Sequence, residues 1–203
     1  MSTRLSAEGR RAEILDATVE LIIERGLAAV RVDDVAEACG ISRALVFYHF
    51  DTKEALVAHA FMRAAQRDLE HLPEVLSGAK TAAARLGRVV RQYGRTGDSP
   101  SWKLWIEAWA AGLHEPEIQA ASRTLDKRWR RVLVDVINDG VATGEFTCPD
   151  PVASAWRITA LIDGLTVQSV VSPHAPGSTR MSRWIRDATA AEVGVDSAAL
   201  RPR

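Results

Sequence analysis

Asp33–Lys53 reads DDVAEACGISRALVFYHFDTK, and the organisation of the N-terminal quarter follows from it. Val35, Ala36 and Cys39 recur at i, i+1 and i+4, one face of a short helix, and Asp33 and Asp34 at its start are capping residue types. Gly40 supplies a permissive turn. Ser42 is placed to cap a second helix. Val46 and Phe50, four apart, give that helix an apolar side directed at the first. Asp51 and Glu54 carry an acidic variant of the capping-box spacing for a third helix. Two short helices folded across a glycine turn are the pattern of a helix-turn-helix, whose second helix enters the DNA major groove.

Arg43, Ala44, Leu45, Phe47, Tyr48 and His49 remain for the outer side of that second helix. Two aromatics, a leucine and a histidine are costly on a solvated surface unless something docks there. Tyr48, His49 and Lys53 are also phosphate-contacting types. Spacing alone leaves a second reading, an ordinary helical hairpin, because the same geometry occurs without DNA.

Residues 10–57 resemble the DNA-binding domain of the TetR family of bacterial transcriptional regulators. The residues that carry the resemblance are Ile14, Ala17 and Leu21 in a first helix, then Gly26, then VDDVAEACGISR and FYHFDTKEAL. The resemblance implies that Arg43, Ala44, Leu45 and Phe47 face bases or the groove, beside the helix-opening Ser42. It implies that Tyr48, His49 and Lys53 hold phosphates. Arg31 stands where the family usually has a hydroxyl residue, and is expected to restore a phosphate contact from the preceding helix start. Leu45 replaces a commonly polar groove residue and favours apolar contact with a thymine methyl. Phe47 lacks the hydroxyl of the more usual tyrosine and cannot hydrogen-bond a phosphate.

Composition sets the limits. The chain has 203 residues, 47% hydrophobic and 26% charged, an ordinary soluble balance. A chain of this length buries roughly 70% of its unfolded surface and needs no metal or disulfide to fold. Cys39 and Cys148 lack metal-ligand spacing, so a reducing cytoplasm is expected. No signal peptide or bilayer-length apolar run is present, so no membrane partner is expected. Net charge is +0, and Met1–Lys53 carries seven Arg or Lys against nine Asp or Glu. Such a domain has low sequence-independent affinity for DNA and relies on a dimer.

No segment alternates with a period of two, so the fold class is all-α. Residues 1–9 read as a polar arm, with Arg4 either reaching a minor groove or lying in an unordered terminus. A first helix runs over about 7–25, and a longer one over 52–72 ends near Pro73. Further helices are expected at roughly 79–95, 100–113, 116–142, 151–172 and 178–192. A three-helix helix-turn-helix DNA-binding domain over 1–53 thus precedes a larger helical effector-binding and dimerisation domain over 54–203. In the resembled family, helix 52–72 is the lever between the two.

Trp102, Trp105 and Trp109 fall on one helical face, and Trp129 and Trp156 lie on the next two helices. This stripe is either core or the wall of a pocket for an aromatic, acyl or cationic ligand. Glu107 points away from the stripe and is expected to pair with Lys103 in solvent. Asp163 shares a face with Trp156, Ala160 and Val167, where a bare carboxylate is costly without a partner. It serves there as a ligand or buried polar group, or at a helix or subunit contact. LIDGL and WIEAWA resemble the ligand domains of the choline-responsive betaine-synthesis repressor subgroup, which implies a quaternary ammonium or polyamine effector. The run Arg123–Arg131 reads as a solvated helix face. Helices 151–172 and 178–192, through Ala153, Trp156, Ala160, Gly164, Val167 and Val171 and then Met181, Ile185 and Ala188, offer a four-helix homodimer interface.

The function expected is therefore a dimeric, sequence-specific transcriptional regulator, a repressor released from a palindromic operator when a small-molecule effector binds. The alternative is a helical ligand carrier or interaction protein without DNA activity. No metalloprotease, phosphate-loop or nucleophile-elbow pattern is present, so neither an enzyme nor a cofactor is expected.

Overall fold

The computed structural model describes residues 6–94 and 100–201, and every regular element among them is helical. The chain divides into two compact units, one taking the chain up to Arg67 with Lys103–Leu125, the other Asp68–Trp102 with Asp126–Arg203. Arg4 lies outside the described residues.

In the first unit, α1 (Ala7–Arg25) opens on Ser6, whose hydroxyl accepts the Gly9 N–H at 3.0 Å. It stops at Gly26, whose φ of 85° favours a residue without Cβ. Ile14, Val19 and Ile22 are buried along its inner face. α2 (Val32–Ala38) and α3 (Arg43–His49) pack on one another, and Val35, Ala36, Val46 and Phe50 are buried as the spacing predicts. Two capping expectations fail. Asp33 and Asp34 lie in the first turn of α2 and no side chain caps it, because Arg31 occupies the cap position. The helix after α3 is capped by Thr52, whose Oγ1 accepts the Ala55 N–H at 2.9 Å, not by Asp51.

That helix, α4 (Lys53–Glu70), buries Leu56, Val57, Ala60 and Phe61. His59, on the outer side of the same helix, is exposed. Arg63 instead grips Asp16 of α1 through Nε at 2.6 Å and Nη2 at 2.9 Å, and Arg67 joins the same carboxylate. This fork holds the Asp16 carboxyl below its ordinary range. The chain then breaks before Pro73 and restarts as α5 (Leu72–Leu76), with the proline in its first turn, where a missing N–H costs nothing.

The second unit contains α5, α6 (Ala82–Tyr93), α9 (Pro151–Val171), α10 (Ser178–Val193) and a final 3₁₀ turn, Ser197–Leu200. α6 has its first N–H groups satisfied twice over, by Thr81 on Ala84 and by the Glu145 carboxylate on Ala82 and Ala83 at 3.0 and 3.1 Å. α10 packs on α9 and α6, and α6 carries the terminal turn against Gly87. A Cβ at Gly87 would stand 2.2 Å from the Leu200 carbonyl oxygen, so that close approach needs glycine. Met181 and Ile185, expected at a subunit interface, are instead buried inside this unit. The large apolar side chains exposed on α9 and α10 are Val152, Trp156, Val171 and Trp184.

α7 (Pro100–Ala111) and α8 (Pro116–Ala142) are shared. α7 gives Trp102 to the second unit and the rest to the first, and α8 passes to the second unit at Asp126. Glu107 does not pair with Lys103 in solvent. Half-buried, it accepts the Leu27 N–H just past Gly26, satisfying a donor that the end of α1 leaves open. No described helix is long and apolar enough to cross a membrane.

Candidate nucleic-acid interface and ligand site

On α3 the core takes Val46, leaving a surface made of exposed Ser42, Arg43, Ala44 and Tyr48 and half-buried Leu45, Phe47 and His49. Tyr48 is 79% exposed, far more than folding alone asks of a tyrosine. The Ser42 hydroxyl accepts the Leu45 N–H at 3.2 Å, fixing the helix start. Arg11 of α1 donates to the His49 carbonyl and lies over the Phe50 ring at 4.1 Å, fixing its end. The short helix is therefore tied at both ends, which is what a reading head requires.

Two cations of this surface are held by neighbours. Arg43 pairs with Asp33 at 2.8 Å and leans on the Phe47 ring, 5.3 Å from its centroid. Lys53 is half-buried and reaches the Ala28 carbonyl at 3.4 Å. Arg31 is exposed at the start of α2. Any anion approaching Arg43 must compete with Asp33, in keeping with the near-neutral charge of the region.

In the second unit the structure draws Trp102, Trp129 and Asp163 together around Tyr93. The Tyr93 hydroxyl donates to Asp163 Oδ1 at 2.8 Å. Its ring meets Trp102 edge-on at 5.9 Å and Trp129 at 4.9 Å, both indoles being buried. Burial pushes the Asp163 carboxyl up to about 6, against the pull of the Tyr93 hydrogen bond and with help from the charge of Asp126. Tyr93 itself is held well above its ordinary value, first by burial and then by Asp163. A half-buried carboxylate bonded to a tyrosine on which two buried indoles pack makes this cluster the candidate ligand site, of a chemistry suited to a cation. A passing neutral ligand would leave the carboxylate unmatched.

Trp105 and Trp109 belong to the first unit. There Trp105 packs edge-on against Phe61 of α4 at 4.9 Å, with Trp109 5.7 Å beyond it. Trp156 is 54% exposed and lies under the guanidinium of Arg130, 3.7 Å from the ring centroid. Tyr93, Asp126 and Arg130 were absent from the sequence expectations. Tyr93 was legible as the last apolar position of α6 after Leu86, Val89 and Val90. Asp126 and Arg130 were hidden in the Arg123–Arg131 charge run, which is not solvated throughout. Leu125 and Trp129 are buried and Asp126 and Arg130 half-buried, while Arg123, Lys127, Arg128 and Arg131 are exposed.

An all-helical chain with a helix-turn-helix whose second helix shows an aromatic outer face is a DNA-binding regulator by class. Known proteins agree. Residues 14–60 match the model of bacterial regulatory proteins of the tetR family, and residues 82–194 match that of the BetI-type transcriptional repressor C-terminal region. The chain belongs to the TetR family of transcriptional regulators. It is 32% identical over 173 residues to the transcriptional regulator BetI of Burkholderia mallei, covering 81% of this chain and 84% of that one. It is 31% identical over 151 residues to the transcriptional repressor KstR2 of Rhodococcus jostii, covering 73% and 74%. Among solved structures, a transcriptional regulator from Saccharomonospora viridis in complex with choline superposes with a TM-score of 0.81 at 27% identity, covering 93% of this chain and 98% of that one.

Proposed function

We propose that this TetR-family regulator is a repressor released from its operator by a small organic cation, of the quaternary or alkyl ammonium class. The observation that carries the proposal is the Asp163 carboxylate, held by the hydroxyl of Tyr93, whose ring packs against the buried indoles of Trp102 and Trp129. A quaternary ammonium offers no hydrogen-bond donor and a diffuse charge, which aromatic faces and one carboxylate accommodate. The choline carried by the Saccharomonospora viridis relative supports the same ligand class. The protein acts on DNA in the cytoplasm and not as an enzyme.

Residues 1–53 supply DNA recognition and 54–203 effector binding and dimerisation. Arg31, Ser42, Arg43, Ala44, Leu45, Phe47, Tyr48, His49 and Lys53 are the contacts to duplex DNA. Two copies pair through α9 and α10, whose exposed Val152, Trp156, Val171 and Trp184 suit an isologous apolar contact on a palindromic site. Release follows if the effector favours a position of α7 that alters the support Glu107 gives to Leu27 at the end of α1. The test is a gel shift on DNA from upstream of the gene, titrated with choline. Saturable, sequence-dependent binding that choline reverses is expected. Equal affinity for random DNA would reject specific repression.

A further inference from the structure

α8 carries three groups of interest on one face. Asp126, Trp129 and Arg130 stand at i, i+3 and i+4. Trp129 is one of the rings packed on Tyr93. Asp126 is a second carboxylate partly withdrawn from water, its acid pushed up by burial. Its charge is felt at Asp163 and at Tyr93. A region with two such carboxylates repels itself and calls for positive charge.

One fixed cation already answers part of that call. The charge of Arg130 favours ionisation of Asp126, Asp163 and Tyr93 alike, so it acts on the whole group. Its guanidinium is stacked on Trp156 with Cζ 3.7 Å from the ring centroid. Trp156 sits on α9 seven residues before Asp163, two turns along the same face. Stacking on an indole holds a planar guanidinium in place, and an arginine does not lose its proton at any working pH. The counter-charge is therefore permanent and built in.

We propose that Arg130, held on Trp156, sets the charge of the effector: it offsets one of the two carboxylates and leaves room for a single positive charge. This rests on the ammonium reading of the site given above. A dication would bring its second charge into a space that Arg130 already supplies, and in a partly dehydrated site the repulsion is felt at several ångströms. Without Arg130 the same pair of carboxylates asks for two charges. Arg130 thus separates monocationic ammonium ligands from dicationic ones, a choice that the aromatic rings cannot make.

Two isosteric probes isolate charge from shape. They are 1,2-bis(trimethylammonio)ethane, a dication, and (3,3-dimethylbutyl)trimethylammonium, in which carbon replaces one nitrogen. Calorimetry on the full chain at pH 8, above the value of Asp163, should show the wild type preferring the monocation. R130Q should move the ratio of the two affinities towards the dication by about tenfold or more, and R130K, which keeps the charge, should restore the wild-type ratio. An unchanged ratio in a folded R130Q protein that binds the monocation overturns the role of Arg130 and leaves the ammonium reading standing. If neither probe binds wild type or R130Q, both readings fall. Should R130Q not fold, D126N decides: its affinity for the monocation should drop about tenfold, and an undiminished affinity overturns the charge balance proposed.

Discussion

Tyr93 donates its phenolic hydrogen to Asp163 at 2.8 Å, joining the last turn of α6 to the middle of α9. The bond engages one carboxylate oxygen, while partial burial disfavours the charged form. Asp163 therefore changes charge near pH 6, and a cation beside it favours the charged form.

That balance has a pH signature. A carboxyl raised from 3.8 to about 6 in the fold lends stability that is complete below pH 3.8 and lost as pH rises through about 6. The loss is roughly 3 kcal/mol. D163N, which cannot ionise, should melt higher than wild type at pH 8. Cation affinity should run the other way in wild type, rising with pH until about 6.5 and then levelling. Thermal melts check the first half and calorimetric titration from pH 5 to 8 the second; flat affinity over that range would speak against Asp163 as the ligand's partner.

Y93F removes the donor that helps to hold the charge on Asp163. Its pH midpoint for ligand binding should move upward, with affinity nearly recovered at pH 8. A midpoint that stays in place would assign Tyr93 to packing alone.

Trp102 and Trp105 sit three residues apart on one helix yet should respond differently. Trp105 is buried against Phe61, so W105A should cost about 3–5 kcal/mol in stability. W102F should keep the fold and weaken cation binding, because a smaller ring offers a weaker face. Thermal melts with and without choline separate these effects.

The DNA surface divides in the same manner. Y48A should weaken operator binding without shifting the melting temperature, since Tyr48 is almost fully exposed. F50A should cost about 3–5 kcal/mol in stability. D33N frees Arg43 and should raise affinity for any duplex, with a steeper dependence on salt. Anisotropy across a salt series reads the affinities of Y48A and D33N, and thermal melts read the stability of Y48A and F50A.

Much of this was legible beforehand. Periodicity gave α1, α8, α9 and α10 nearly to the residue, because their apolar stripes are long and their ends carry Gly26, Pro116, Pro151 and Gly194. Capping was less legible. Asp33, Thr52 and Asp51 are all competent oxygen acceptors, and only tertiary placement decides among them. Glu107 was misread since helical angle locates a side chain on its own helix but cannot reveal the Leu27 N–H that meets it. The tryptophan stripe was real as a pattern, but its members serve different units, a division that sequence spacing does not carry. Arg130 escapes for a related reason: one stacked arginine looks like its solvated neighbours until its ring is known.

The central claim is that Asp163 is where a cation switches off DNA binding. It is tested by fluorescence anisotropy of labelled upstream DNA, with wild type and D163N, titrated with choline at pH 8. The account predicts equal DNA affinity for both proteins, with choline displacing wild type and leaving D163N bound. Release of D163N at the same choline concentration as wild type would contradict it.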